Sequence, residues 1–231
     1  VFAHIDDLES VALGARALLA GDGVFVFEVS YLLDVIEKTL FDTIYHEHLS
    51  YHSLAPLVRF FDRLGMVVVD AERIDPHGGS IRVWVKRSGS PKPAVAELLA
   101  LEEKAGLGLA DTYTAYAAKI EALGKELGDL LRGLKAKGAK IAGYGAPAKA
   151  TTLLHHFHLG PGQLDFIVDD SPLKQGLFTP GQHIPVLPSA ALAERKPDYL
   201  VVLAWNFADS IVQKVKKSGP QIGRASCRER V

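Results

Sequence analysis

The chain contains 231 residues, of which 48% are hydrophobic and 23% are charged, a composition typical of one large or two smaller globular domains. Its formal net charge of −1 gives no electrostatic reason to expect a nucleic acid or an anionic membrane as a partner. No apolar run approaches the roughly 20 residues of a membrane-spanning helix, and no secretory signal opens the chain. These properties favour a cytoplasmic protein.

We expect the chain to be a fragment that is truncated at both ends. It begins at Val1, without methionine, in a segment typical of the end of a strand that leads into a helix. Residues 222–231 have no apolar periodicity and resemble a translated sequencing adapter, so we exclude them from the predicted fold. They contain Cys227, the only cysteine of the chain. The rest of the chain therefore has no disulfide, no thiolate metal site and no cysteine nucleophile.

Helices and strands alternate in the first part of the chain. Apolar residues at helical spacing predict a helix over residues 6–19, and the β-branched and aromatic residues of Val24–Ser30 predict a buried strand. A second helix is predicted over residues 53–65, with Ser53 as its N-cap, and two strands then flank a turn at residues 75–80. This order suits the second half of a doubly wound α/β sheet that ends in antiparallel strands.

The composition changes at Ser88, and a second set of elements follows. Residues 111–137 predict one long amphipathic helix that ends at Gly138, and a strand–helix–strand unit begins directly after it. The predicted organisation is a first domain over residues 1–87, a linker with the long helix over 88–138, a second α/β domain over 139–221, and the excluded segment 222–231.

The stretch FDTIYHEHLSYHS, residues 41–53, gathers two tyrosines, one glutamate and three histidines. It is either a polar connection between a strand and a helix, or a set of acid–base groups tuned near neutral pH. A metal site is a third interpretation, since His48 and His52 are four residues apart, but Asp-Thr-Ile-Tyr just before them argues against a helix there. The histidines at 155–158 also suggest a metal, yet their place at a helix end favours a structural role.

Four segments in order, FDTIYHEHLSY, HGGSIRVWV, GYGAPAKATTLL and VDDSPLKQGLFTPGQHIPV, resemble the S-adenosylmethionine-dependent C-methyltransferases of nucleotide-linked deoxysugars. The resemblance covers essentially all of residues 1–220. It implies the C-terminal half of a Rossmann-type methyltransferase domain followed by a second Rossmann-like α/β domain. It also implies that the family's zinc-binding domain and glycine-rich cofactor loop lie outside this chain, so zinc is expected only there and no metal is expected here.

The same resemblance implies a reaction and its residues. A base removes the proton next to the keto group of the sugar, and the resulting enolate carbon attacks the methyl group of S-adenosylmethionine. We predict that His48 is the base, that Glu47 orients it, and that Tyr45 and His4 donate to the developing oxyanion or relay the proton. Further predicted contacts are those of Phe2 and Ala3 with S-adenosylmethionine.

Two glycine-containing motifs are candidates for substrate binding. In HGGSIR the glycines either reverse the chain or let the backbone approach the substrate, with His77, Gly78 and Ser80 as contacts. In the second domain, the resemblance assigns Gly145, Lys149, Thr151 and Thr152 to the nucleotide of the sugar.

The second motif also supports rival functions. GYGAPA, residues 143–148, matches a dinucleotide-binding fingerprint, and Asp169 or Asp170 lies near the distance expected for an acid that binds ribose. An NAD-dependent oxidoreductase and a non-catalytic nucleotide-binding module are therefore the alternatives. The sequence gives no oligomeric state.

Overall fold

The computed structural model describes residues 2–217 and 223–225, which form helices and strands in an α/β arrangement. The helices are α1 (Leu8–Leu18), α2 (Leu32–Glu37), α3 (Leu54–Arg63), α4 (Pro93–Lys104), α5 (Ala110–Ala136), α6 (Ala148–His156), α7 (Ala191–Arg195) and α8 (Ala208–Lys217). The strands are β1 (Phe25–Ser30), β2 (Val67–Ile74), β3 (Ser80–Lys86), β4 (Ile141–Tyr144), β5 (Phe166–Val168), β6 (Val186–Leu187), β7 (Tyr199–Val202) and β8 (Gly223–Ala225). The α/β class and the predicted long helix are confirmed.

The chain divides into two compact units. The first comprises the residues up to Leu40 together with His46–Ala117, and the second comprises Phe41–Tyr45 and the described residues from Ala118 onward. Helix α4, which the sequence assigned to a linker, belongs to the first unit because Val95 and Leu98 are buried in its core.

The sheet of the first unit has the order β1-β3-β2, and both of its pairings are antiparallel. The predicted antiparallel strands are therefore present, but β1, which was predicted to be a buried strand of a doubly wound sheet, is itself paired antiparallel. Along β1, Phe27 and Val29 are buried, while Val26 and Glu28, which alternate with them, are exposed, Val26 to 42%. This alternation is typical of a strand with one face on the core.

The N-terminus of α3 is capped by a residue that lies 48 positions after the first residue of the helix. Ser53 is at the predicted N-cap position, but its side chain makes no capping hydrogen bond. The backbone N–H groups of Leu54 and Ala55 instead donate to the carboxylate of Glu102, the latter at 2.9 Å, and the Tyr31 hydroxyl donates to the same carboxylate at 2.9 Å. Glu102 is buried, so this carboxylate satisfies donors that water does not reach.

Replacing Glu102 with glutamine is expected to lower the free energy of unfolding by about 2–3 kcal/mol, measured by urea titration. Glutamine offers one acceptor oxygen, and its amide group would face a backbone N–H that also donates. The matched control is Glu103→Gln, since Glu103 is exposed on the same helix and should change stability by less than about 0.5 kcal/mol. Equal stability of the two variants would contradict this account of the cap.

The second unit contains a parallel sheet with the strand order β6-β5-β4-β7-β8. When the strands of this unit are numbered along the chain, their order in the sheet is 3-2-1-4-5, which is the order of a Rossmann sheet. The strand order reverses between the first strand, β4, and the fourth strand, β7. The carboxyl ends of β4 and β7 therefore mark the point where such sheets bind ligands.

Strand β8 comes from the segment that we excluded from the fold. Gly223, Arg224 and Ala225 pair in parallel with β7, so three residues of the segment extend the sheet. An edge strand can be held by backbone hydrogen bonds to one neighbouring strand. Its side chains therefore need not show the apolar periodicity that predicts a strand. The other residues of 222–231 lie outside the described part of the chain.

Candidate functional site

The two predicted catalytic histidines, His4 and His48, are neighbours in the first unit. The carbonyl of Ala3 accepts hydrogen bonds from the backbone N–H groups of Leu49 at 3.0 Å and Ser50 at 3.3 Å. This contact holds the turn Phe2–His4 against the segment that follows His48. The ring centroids of His4 and His48 are 5.1 Å apart, so the structure brings these two side chains together across 44 positions of sequence.

The two other predicted catalytic residues are placed differently. Glu47 is exposed, and its carboxylate lies 4.0 Å from Nε2 of His46, which is also exposed. Tyr45 belongs to the second unit, since the division between the units falls directly after it. Their roles toward His48 and the oxyanion stay predictions.

Phe2 and Ala3, which were predicted to contact S-adenosylmethionine, are buried. The Phe2 ring stacks on Phe27 with a centroid distance of 4.4 Å, and the Ala3 carbonyl is occupied by the two backbone hydrogen bonds described above. These residues offer apolar surface and no side-chain hydrogen-bond donor. Their contact with S-adenosylmethionine stays a prediction.

The third histidine of the stretch 41–53, His52, has no predicted catalytic role and is a buried residue of the first unit. It is 7% exposed, its ring lies 5.5 Å from that of Phe2, and its Nε2 makes no hydrogen bond to the residues that the structure describes. Burial lowers the pKa of His52 to about 4. The stretch is not helical here, so the four-residue spacing from His48 does not place the two rings on one helix face.

His52 is expected to make the protein less stable as the pH falls from about 7 to about 4.5. An unfolded histidine has a pKa of about 6.5, whereas the folded value is about 4. Between these values only the unfolded chain binds the proton, so acid favours unfolding by at most about 1.4 kcal/mol per pH unit. In urea titrations, His52→Gln should remove about 2 kcal/mol of this pH dependence. An unchanged dependence in the variant would contradict the assignment.

The HGGS motif packs against a buried carboxylate, that of Asp34. Asp34 is fully buried, and its carboxylate accepts two hydrogen bonds from the Arg73 guanidinium, at 2.9 and 3.0 Å. The same carboxylate forms an ion pair with Nζ of Lys38 at 2.6 Å. Gly79 has a φ of +143°, and a Cβ at this position would lie 2.1 Å from Cγ of Asp34. The close approach of Gly79 to this carboxylate favours the structural interpretation of the second glycine.

The substrate-binding candidates of this motif have different surroundings. Ser80 is buried and its hydroxyl donates to the Pro76 carbonyl at 3.1 Å, while Gly78 offers its carbonyl to Lys38 Nζ at 2.8 Å. His77 is exposed in left-handed backbone, with a φ of +59°. Of the three, His77 is the side chain that the structure leaves facing solvent.

In the second unit, the fingerprint glycines are explained by packing at the carboxyl ends of β4 and β7. A Cβ on Gly143 would lie 2.8 Å from Ile167, and one on Gly145, where φ is +89°, would lie 2.6 Å from the Cβ of Ala204. Both glycines therefore allow neighbouring strands to approach closely, with or without a bound dinucleotide.

The two acids proposed for ribose binding are engaged within the protein. Asp169 accepts hydrogen bonds from the backbone N–H groups of Ala146, at 2.7 Å, and Ser171, at 2.8 Å. Asp170 accepts from the hydroxyl of Ser189 at 2.6 Å and pairs with Lys214 at 2.7 Å. Both carboxylates therefore have partners within the second unit, so their places in the sequence no longer favour the oxidoreductase alternative.

Two residues that the sequence analysis missed, Asp42 and Trp205, lie at the same end of the sheet. Asp42 is 2% exposed, and its Oδ2 accepts a hydrogen bond from Trp205 Nε1. Burial raises the pKa of the Asp42 carboxyl, while the Trp205 hydrogen bond and the charge of Lys149 oppose this rise. A tryptophan three residues after the end of β7 and an acid between Phe41 and Thr43 were the available signals.

Lys149 and Thr152, both predicted to bind the nucleotide, contact this cluster. The Lys149 ammonium lies 5.7 Å from the centre of the Trp205 ring, and burial lowers the pKa of Lys149 while the charge of Asp42 opposes the decrease. The Thr152 hydroxyl donates to the carbonyl of Ile44 at 3.1 Å. Both residues therefore have partners within the second unit.

Thr151 lines a cavity of about 290 Å³ in the second unit. Its wall includes the fingerprint loop from Ala146 to Ala148, one face of α6, and the segment Leu177–Pro180. Lys174 is the basic residue of the lining, and Phe178 is 62% exposed beside it. An aromatic ring and an ammonium group beside a helix N-terminus suit a ring with an attached anionic group.

Among residues 2–217 and 223–225, no group of three or more histidine, cysteine, aspartate or glutamate side chains could hold a metal ion. In the same residues, no helix has both the length and the apolar composition that crossing a membrane requires.

Known proteins that this chain resembles include a domain family and a curated enzyme. The family model of the C-methyltransferase C-terminal domain matches residues 75–225. The C-methyltransferase NovU of Streptomyces niveus is 42% identical over 219 residues, which cover 94% of this chain and 52% of that protein. The chain thus spans about half the length of this curated relative.

Proposed function

Because the chain belongs to the family of C-methyltransferase C-terminal domains, we propose that its protein methylates a ring carbon of a nucleotide-linked deoxysugar, next to the keto group. S-adenosylmethionine would supply the electrophilic methyl group. The observation that carries the proposal is the pair of rings, His4 and His48, whose centroids are 5.1 Å apart on a shared backbone anchor. Zinc, which the resemblance assigns to a domain outside this chain, takes no part in the proposal.

The residues of this chain act on the proton and on the oxygen of the substrate. His48 takes the proton from the ring carbon, and the electrons of that C–H bond form the enolate. The enolate oxygen accepts hydrogen bonds from Tyr45 and His4, which stabilises the charge as it develops. Glu47 orients the imidazole of His48. When the ring carbon takes the methyl group, the S–C bond of the donor breaks and the keto group is restored.

The cavity beside α6 supports the placement of the nucleotide in the second unit. Thr151 and Lys174 provide a hydroxyl and an ammonium group there, and the exposed Phe178 provides a ring surface on which a base could stack. The sugar nucleotide is thus proposed to lie along the carboxyl end of the parallel sheet, as ligands do in this fold.

The test uses the full-length enzyme, S-adenosylmethionine with a ¹³C-labelled methyl group, and thymidine-diphosphate-linked keto-deoxysugars that differ in the position of the keto group. We expect the label on a carbon adjacent to the carbonyl, located by NMR. Oxidation of NADH by the same sugars, without labelled product, would support the oxidoreductase alternative. Nucleotide binding without turnover of any of these sugars would support a non-catalytic module.

A further inference from the structure

The segment Phe41–Tyr45 is attached to the second unit at three points. The Phe41 ring packs 4.9 Å from that of Phe157, directly after α6. The Ile44 carbonyl accepts the hydrogen bond from Thr152 on α6, and the Asp42 carboxylate accepts the one from Trp205 after β7. The Phe41 ring, the Asp42 carboxylate and the Ile44 carbonyl thus fix residues 41–44, which directly precede Tyr45.

Asp42 is the polar centre of this attachment. It lies in the middle of the 3-10 turn Phe41–Thr43, whose residues are all buried. Its second oxygen, Oδ1, accepts no hydrogen bond from the residues that the structure describes. A buried carboxylate with an unsatisfied oxygen costs stability, whereas an apolar side chain would pack the same turn without that cost. Packing alone is therefore a weak explanation for an acid here.

A directed hydrogen bond provides what packing does not, because it fixes the rotation and the depth of the turn. The Trp205 indole is held in turn at the end of a central strand of the parallel sheet, with the Lys149 ammonium over its ring. The segment Phe41–Tyr45 is thereby attached to the rigid sheet and not to a surface loop.

We propose that Asp42 is a positioning residue, which places the Tyr45 hydroxyl for catalysis through its hydrogen bond to Trp205. Thr152 supports the same segment from α6, so its hydroxyl serves Tyr45 and not the nucleotide. This inference rests on the proposed function, since it requires Tyr45 to stabilise the enolate oxygen. A shift of about 1 Å in a group that acts in the transition state lowers the rate about 100-fold.

The test is a double-mutant cycle of Asp42 and Tyr45 in the full-length enzyme. Asp42→Ala is expected to lower kcat by about 30-fold and to change KM for the nucleotide sugar by less than about 3-fold. In a Tyr45→Phe background the same change should lower kcat by less than about 3-fold, because the hydroxyl that it positions is absent. Effects that multiply would overturn the inference and leave the proposed function standing. Full activity of Tyr45→Phe would overturn both the inference and the proposed role of Tyr45.

Two further variants separate positioning from folding. Asp42→Asn keeps an oxygen that can accept from Trp205 Nε1 and should stay within about 3-fold of wild type, whereas Trp205→Phe should reproduce the loss of Asp42→Ala. Trp84→Phe, which changes the other tryptophan of the chain, is the matched control and should leave kcat unchanged. If Asp42→Ala fails to fold, Trp205→Phe takes its place in the cycle. An Asp42→Asn variant that folds but is as inactive as Asp42→Ala would overturn the inference.

Discussion

Replacing His48 with asparagine in the full-length enzyme is expected to lower kcat for methyl transfer about 1,000-fold. Asparagine can hydrogen-bond in this position, but it cannot accept a proton from carbon. The ring of His4, 5.1 Å away, is expected to support the oxyanion and not to replace the base. The measurement is the rate of labelled product formation with both substrates at saturating concentrations.

The control for this variant is His158→Asn. His158 is exposed and its φ is +53°, a left-handed conformation that asparagine adopts readily, so the substitution should leave kcat within about 2-fold of wild type. If His48→Asn keeps most of its activity while His4→Asn is inactive, the roles of the two histidines are exchanged and His4 is the base.

The second large effect is on stability. Gly79→Ala is expected to lower the free energy of unfolding by about 4 kcal/mol, because strained backbone and a severe overlap add together. The new Cβ would lie 2.1 Å from Cγ of Asp34, at a φ of +143° that side chains rarely adopt. Relief of this overlap would displace a buried carboxylate from Arg73 and Lys38. Urea titration of the purified variant measures the change.

Gly21→Ala is the matched control, since no atom lies within 4 Å of a Cβ placed there, and its stability should change by less than about 0.5 kcal/mol. A Gly79→Ala variant that is as stable as wild type but fails to bind the nucleotide sugar would contradict the structural explanation. In that case the HGGS motif would contact the substrate through this glycine.

Local periodicity predicted most elements of the fold. Helix α1, strand β1, helix α3 and the long helix α5 lie within a few residues of their expected bounds, because each carries its own apolar pattern or terminal residue. The cap on α3 could not be predicted in this way. Ser53 satisfies the local rule for an N-cap, yet Glu102 performs the task, since tertiary packing brings a charged group to the same donors.

The candidate site was predicted only where residue type and family resemblance agreed. His4 and His48 are neighbours because two hydrogen bonds to the Ala3 carbonyl join segments that are far apart in sequence, a contact that no periodicity encodes. Asp42 lay inside the stretch under consideration, but its importance depends on Trp205, 163 positions away. The fingerprint of the second unit predicted its strand–helix turn but not the capping of the loop by Asp169.

The most direct test of the central claim is hydrogen exchange at the carbon next to the keto group. The full-length enzyme is incubated with a nucleotide-linked keto-deoxysugar in D₂O without a methyl donor, and deuterium at that carbon is measured by NMR. We predict rapid exchange with wild type and with His158→Asn, and no exchange above the uncatalysed rate with His48→Asn. Undiminished exchange in His48→Asn would contradict the assignment of this histidine as the base.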